Sequence, residues 1–599
     1  MAQFSQEKRI LLAFAASFLL LALWGSYMRS RYPQPPPPAG EAPAPRSQPA
    51  PSPAPPRPTG AEAEALPATP PPIEIKQGAE ERTITVEMEG AAIVFSTRGA
   101  VVQSWRLKKY QDERGEPLEL VQGRQTRLGY PLSLAAADPQ QEETLNRALF
   151  QVNTGARDLV APVELVFEWS DGRLAARKRF RFDEDCLCEI ETQLWDQSQP
   201  VEHQLAWRGG FGEAAGAATS MRGGEAQVFV RPPGGVERQQ AGEAGKETGW
   251  VVKSPSPFPY TGEASYAGIE DRYFAAVFLP RRPQLRVTAW TEEWTPVGEE
   301  KAQQVGAVAV GVADDNTLRL FVGPKAIHVL EGIKAPAFAS GKRPVLAEEL
   351  VDFGWFWWVA KPLFVAMTWM YEHWIGNYGW VIILLTIVIN MALFPLKWKS
   401  MLSAWKMQKV APQVKAIQAR YKQYKFNDPR KQQMQQEIMA LYKQHGVNPV
   451  GGCLPMVLQI PFFFGFYKVL LSAFELRHAP WVFWITDLSQ KDPYYVLPIV
   501  MTLTMFVSTR MTPMTTTDPG QQRLMRLFPL LFGFFFLTFP AGLVLYWLMS
   551  SVVGIGQQWW INKRQREHEM AEKEAAKELK RKKRHRHRQP ASGPEEASK

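Results

Sequence analysis

Residues 378–474 read YGWVIILLTIVINMALFPLKWKSMLSAWKMQKVAPQVKAIQARYKQYKFNDPRKQQMQQEIMALYKQHGVNPVGGCLPMVLQIPFFFGFYKVLLSAF. Two apolar runs, Tyr378 to Leu396 and Cys453 to Phe474, enclose a segment, Lys397 to Lys443, with eleven basic side chains and two acidic ones, Asp428 and Glu437. Apolar runs of about 20 residues cross a bilayer as helices, and loops that keep Lys and Arg stay in the cytosol. The stretch predicts transmembrane helices at 378–396 and 453–474 joined by a cytosolic helical hairpin at 397–452. Further apolar runs at 493–510, 526–540 and 541–561 follow, with a periplasmic loop at 475–492 and a cytosolic one at 511–525.

Upstream, Ile10 to Met28 is another apolar run, and residues 1–9 precede it. Its length and the bulky Trp24, Tyr27 and Met28 favour a retained anchor over a cleaved signal. Counting crossings puts both termini in the cytosol. The net charge of +10 looks like a nucleic-acid signature until it is mapped. The 397–443 segment carries +9, the tail at 562–599 carries +6, and the rest sums to −5. Basicity follows membrane sidedness.

Between anchor and core lies most of the chain's water-soluble mass. A Pro/Ala-rich linker, 29–82, is too poor in large apolar residues to fold. From 83 to 335, short alternating runs such as Leu165-Val166-Phe167-Glu168-Trp169, punctuated by Gly and Pro, predict half-buried antiparallel strands of one β-sandwich. Cys186 and Cys188 share a strand face and are expected to be small packing residues rather than a bridge. At 336–377, Trp355, Trp357, Trp358, Trp369 and Trp374 predict an amphipathic helix in the headgroup layer. Within the cytosolic segment, Val410, Val414, Ile417, Tyr421 and Tyr424 face Met434, Ile438 and Leu441 across a turn at Asn427-Asp428-Pro429.

The ordered motifs Asn448-Pro449, Gly451-Gly452-Cys453, Pro455, Gln459, Pro461, Asp487-Leu488, Asp492-Pro493-Tyr494-Tyr495 and Phe539-Pro540-Ala541-Gly542 resemble the YidC/Oxa family of membrane protein insertases, in its long Gram-negative form. The resemblance implies a polytopic α-helical protein of six transmembrane helices, five forming the insertase core, with a large periplasmic all-β sandwich domain. It implies a bacterial inner-membrane location, no catalytic residues, no cofactor and no metal. Clients would be nascent inner-membrane proteins, received alone or beside the Sec translocon and released sideways into lipid. Partitioning of the client's apolar helix supplies the drive, and the insertase lowers the cost of moving its polar flank.

The family does this with a hydrated groove that usually carries one arginine, and aligning TIVINMALFPL (386–396) puts Asn390 at that position. The expectation is a polar, uncharged groove made by Thr386, Asn390 and Gln459, with Tyr546 near its edge. Lys468 is a compensating cation only if it points inward; about 22 Å up its helix, against about 10 Å for Asn390, it instead snorkels outward near Glu475 and Arg477. The resemblance also implies a greasy client path at Met456, Phe463, Leu530, Phe535 and Phe536, side chains that repack against varied partners. About 15 residues at 526–540 would span roughly 22 Å as a helix, short of a bilayer core, which suggests local thinning.

The tail reads as a charged helix ending in a disordered arm, with Lys580 to Arg588 nearly pure cation. Such a run contacts anionic membrane lipids or ribosomal RNA. Two rivals stand beside the insertase. A secondary transporter needs inverted repeats and paired broken helices, and none is visible. An enzyme in the outer domain needs clustered His or acidic groups, where only His203 and His328 appear.

Overall fold

The computed structural model describes residues 74–586 except 113–114, 123–128, 184–186, 213–225, 241–257, 295–302, 313–315, 345–348, 425–427, 447–453 and 513–518. The predicted anchor at 10–28, most of the linker, Cys186, Cys453 and Arg588 lie outside them.

Alternation builds the outer domain. Strand Leu174–Phe182 buries every second residue: Leu174, Ala176, Lys178, Phe180 and Phe182. It pairs antiparallel with Val163–Ser170 and Leu187–Asp196, and Leu187–Asp196 pairs with Thr317–Pro324. Leu165, Phe180, Ile190 and Leu318 therefore form one buried row across four strands. A ten-stranded sheet grows from this centre, and two five-stranded sheets complete the domain. The domain begins earlier than 83, because Lys76 already bridges Ser170 through backbone hydrogen bonds. Cys188 is a buried free thiol in its strand.

The same alternation drives Lys178 inward. Fully buried, its ammonium donates to the carbonyls of Gly99 at 2.7 Å, Leu132 at 2.8 Å and Ala100 at 3.1 Å. Those residues have φ of +72°, +64° and +48°, conformations that turn their carbonyls toward the cation. Burial pulls the amine down to about 7, and the three carbonyls oppose that pull by bonding the charged form.

Eight helices follow: α1 (Trp357–His373), α2 (Tyr378–Ala392), α3 (Phe394–Arg420), α4 (Arg430–Gln444), α5 (Leu454–Ser472), α6 (Val496–Met511), α7 (Pro519–Phe536) and α8 (Ala541–Arg586). Among the described residues no single helix is both long and apolar enough to cross a bilayer; α2 and α3, bent by 56° at their junction, are so only as a pair. Trp357, Trp358 and Trp369 on α1 are exposed, as are Trp355 and Trp374 at its ends. Helices α3 and α4 form a hairpin over Met407, Val410, Val414, Ile417 and Ile438. Two sequence expectations change here. The helix around 526–540 is α7, 18 residues that start in the preceding loop and stop at Phe536, so the apolar stretch understates its length. The tail is no separate element: α8 runs unbroken for 46 residues to Arg586, because its Glu, Lys and Ala are strong helix formers.

The outer loop locks the core. Asp492, almost fully buried, accepts hydrogen bonds from the Leu497 amide at 2.7 Å and from the Tyr494 amide and the Trp484 indole at 3.0 Å. Upstream, Gln490 and Leu488 offer their carbonyls to the Ala541 and Gly542 amides, which pins the α7–α8 turn. A Cβ on Gly542 would lie 2.8 Å from the Leu470 side chain and 3.1 Å from the Leu488 carbonyl, so any larger residue would require both to shift.

The outer domain grips the end of α5. Arg272 donates to the carbonyls of Leu471 at 2.8 Å and Leu470 at 3.2 Å, satisfying groups that a helix end leaves open. Beyond them Phe474 sits edge-on between Tyr110 and Phe274, with ring centres at 5.0 and 5.5 Å. Lys468, expected near Glu475 and Arg477, instead pairs with Asp352 at 2.6 Å. The sequence hid this partner because it lies 116 residues upstream.

Replacing Lys178 by Met removes the donor and leaves three inward carbonyls unbonded, a loss of about 2–4 kcal/mol. The melting temperature of the purified protein should fall by several degrees; unchanged melting would show that the cradle is not stabilising. Phe474→Ala removes the ring contacts with Tyr110, Phe274 and Tyr273, of about 0.5–1.5 kcal/mol each. Amide exchange across 470–477 should quicken about tenfold. Unaltered exchange there would mean the docking rests on the polar contacts of Arg272, Lys468, Ser472 and Arg477.

Candidate functional site

Helix α2 buries one stripe, Tyr378, Val381, Ile382, Leu385, Thr386, Ile389 and Asn390, the spacing that one helix face requires. Its start is fixed by Asn377, which caps the Gly379 and Trp380 amides and donates to the Pro480 and Trp481 carbonyls of the outer loop. Thr386 and Asn390 thus enter an apolar interior with no solvent exposure, where each polar atom needs a partner. Thr386 satisfies itself, its hydroxyl donating to the Ile382 carbonyl at 2.6 Å. The Asn390 amide nitrogen donates to the Thr386 carbonyl at 2.8 Å and lies 3.4 Å from the Ser550 hydroxyl.

Helix α8 supplies the opposing wall through Tyr546, Ser550 and Gln557, four and seven residues apart and so on one face. The Gln557 side chain donates at 3.0 Å to the backbone carbonyl of Asn390, one of the groups left open as α2 ends. From α5, Gln459 donates to the Tyr546 hydroxyl and lies 3.3 Å from Ser550. Tyr546 is itself fully buried, stacked on Phe466 at 4.3 Å between ring centres. The four predicted polar residues, Thr386, Asn390, Gln459 and Tyr546, therefore fall in one connected cluster. Ser550 is the joint that sequence reasoning missed, although its spacing from Tyr546 was legible.

One member changes the character expected of the cluster. Lys397 donates from its ammonium to the Asn390 side-chain oxygen at 2.6 Å. Seven residues along a straight helix would separate them by about 10 Å, and the 56° break between α2 and α3 folds the lysine back toward the last turn of α2. Among the described residues no carboxylate pairs with it. The expected uncharged pocket thus holds one half-buried cation. The side-chain oxygen of Gln557 on α8, whose nitrogen bonds Asn390, has no hydrogen-bond partner among the described residues, and neither has the buried Trp405 indole nitrogen further along α3.

The predicted greasy residues separate. Leu530 and Phe535 on α7 are 58% and 52% exposed, beside the more exposed Leu531 and Phe534. Phe536 is fully buried and packs with Phe463 of α5 and Trp547 of α8, so these two tie helices together instead of facing outward. Met456 belongs to α5, and its side chain lies outside what is described. Lys468 is taken up by Asp352 and does not join the polar cluster. In the outer domain His203 bonds the Thr192 hydroxyl and the Val201 carbonyl, each at 2.9 Å, and burial lowers its basicity. Its surroundings account for it as a packed strand residue.

Comparison with known proteins matches residues 369–569 to the 60Kd inner membrane protein family and residues 83–366 to the YidC periplasmic domain. A membrane protein insertase YidC of Syntrophus aciditrophicus (strain SB) is 34% identical over 514 residues, 83% of this chain and 88% of that protein. The protein of that name from Geobacter sp. (strain M21) is 33% identical over 498 residues, 81% of this chain and 86% of the relative. A solved YidC insertase with its first transmembrane domain resolved aligns over 80% of this chain and 93% of its own, at 16% identity and a TM-score of 0.33. Helical core and β-rich outer region are thus matched over almost their whole length by relatives sharing a third of their residues, and the chain belongs to the YidC family of membrane protein insertases.

Proposed function

We propose that this protein inserts the helices of newly made proteins into the bacterial inner membrane and assists their folding, using the cluster around Asn390 as the polar station of a hydrated groove. The observation that carries this reading is a set of hydrogen-bonded amides and hydroxyls from α2, α5 and α8 inside an otherwise apolar bundle. A bundle built for stability alone would fill that space with Leu and Val. Polar lining costs stability and lends a passing polar segment replacement partners for the water it leaves. The unpaired Gln557 oxygen and Trp405 nitrogen are groups that such a segment, or water, would satisfy.

In this arrangement the client's apolar side meets the exposed face of α7, where Leu527, Leu530, Leu531, Phe534 and Phe535 lie together. Partition into lipid at about 25 cal/mol per Å² drives release without nucleotide. Six spans with both termini cytosolic, cooperation with the Sec translocon, and contacts of the basic arm from Lys580 with ribosomal RNA or anionic lipid complete the proposal. The basic 397–443 segment and the family match support that orientation.

Complementation of an insertase-depleted strain tests the groove. Asn390→Ala should reduce insertion several-fold by unpairing both Lys397 and Ser550, and Gln459→Leu should do the same from the α5 side by unpairing the Tyr546 hydroxyl. Full activity of both on every client would reject the polar station. Photocrosslinkers at Phe535 and at Phe536 should differ, the first reaching a stalled nascent chain and the second only neighbouring helices.

A further inference from the structure

Resting on the membrane orientation proposed above, we infer that the tip of the loop between α5 and α6, with Phe483 at its apex, is a preformed wedge that inserts among the phospholipid headgroups of the outer leaflet. Residues 479–486, APWVFWIT, carry no ionisable side chain. Their backbone makes a tight turn: the Ile485 amide donates to the Val482 carbonyl at 3.1 Å, and the Trp481 amide donates to the Ile485 carbonyl at 2.9 Å. Phe483, the first central residue of that turn, has a φ of +52°. Glycine is the usual occupant of such a position, because a Cβ crowds the following carbonyl there. Phe483 is nonetheless 89% exposed, its ring resting on the neighbouring Trp484 at 6.0 Å between centres. The turn thus carries strain for a large apolar side chain that buries almost nothing within the protein, and such strain marks a place where something outside is met.

The base of the tip is pinned. The Trp484 indole donates to the buried Asp492 at 3.0 Å, Asn377 donates to the Pro480 and Trp481 carbonyls, and Gly379 leaves no room for a Cβ beside the Trp481 ring. Phe483 is therefore held out by a fixed support. Its surroundings indicate what covers it. Trp481 meets Trp380 at 5.8 Å between ring centres and Trp484 meets Tyr494 at 6.4 Å, and both Trp380 and Tyr494 are exposed. Trp and Tyr rings of this kind settle in the headgroup layer. From the loop onward, α6 exposes Ile499, Leu503 and Val507, one apolar stripe at successive turns of the helix. A tip meant for water would be polar, and a docked protein would have to cover the stripe as well. Lipid covers tip and stripe together.

The test uses the full chain, purified and reconstituted in vesicles of phosphatidylethanolamine and phosphatidylglycerol, with a single photocrosslinker at Phe483, at Leu503 or at Gln151, an exposed strand residue of the outer domain. Probes at Phe483 and Leu503 should form phospholipid adducts, and the probe at Gln151 none. With the probe moved to Tyr494, Phe483→Ser should lower the lipid adduct several-fold and Phe483→Trp should keep it, because only the second retains a ring that enters the headgroup layer. A probe at Phe483 that finds no lipid, or only another protein chain, while Leu503 still reaches lipid overturns the wedge and leaves the membrane orientation standing. A Tyr494 adduct that Phe483→Ser leaves unchanged overturns it as well. Loss of lipid adducts at both Phe483 and Leu503 would instead refute the orientation, and the wedge with it.

Discussion

An amide in oil must find partners inside the protein, and Asn390 finds them on three sides. Its nitrogen holds the preceding turn of α2, its oxygen holds Lys397 across the bend, and its backbone carbonyl is held by Gln557 of α8. Ser550 then passes the connection to Gln459 of α5. Three helices that share mainly apolar surface would slide past one another, since packing of similar side chains sets no unique register. Directional bonds at a buried point remove that freedom. The bend of α2 into α3 is part of the same constraint, because it delivers Lys397 to the amide oxygen.

At the opposite end of the bundle the chain solves the same problem with backbone. Asp492 gathers two amides and an indole, and the strand-like contact of Gln490 and Leu488 with Ala541 and Gly542 fixes where α8 begins. These are the residues through which the sequence resembles its family, and their role on the page is architectural. They set the height and rotation of α8, and therefore which of its faces offers Tyr546 and Ser550 to the interior. At the end of α5, Arg272 of the outer domain and Asp352 of the segment before α1 hold the helix, and Phe474 just beyond it packs on Tyr110 and Phe274, so that both walls of the polar cluster are anchored.

Periodicity made much of this legible. Alternation in Leu165 to Trp169 exposed the strands, and the heptad run from Val410 to Ile417 exposed the hairpin, because burial repeats at the period of the backbone. Thr386, Asn390, Gln459 and Tyr546 were reached through motif positions. Lys397 was counted as one more topological charge, since nothing in a linear chain announces a 56° break about three residues after an asparagine. The Asp352 partner of Lys468 and the carbonyl cradle of Lys178 were equally hidden, both being contacts made over long separations by residues with no pattern of their own. Phe536 was misplaced beside Phe535 because adjacent residues on a helix differ by about 100° in direction, and only packing decides which of the two turns inward.

Helix α8 has a mechanical corollary. At 1.5 Å per residue its 46 residues make a shaft of about 69 Å, pinned at its start by the Gln490 and Leu488 carbonyls and braced beyond its midpoint where Lys409 meets Glu569 and Glu572. A stiff rod of that length converts a small sideways tug at its charged tip into torque about the brace. Whatever holds Arg581 and its neighbours therefore also holds, through one continuous ladder of peptide bonds, the orientation of the tyrosine at the rod's other end.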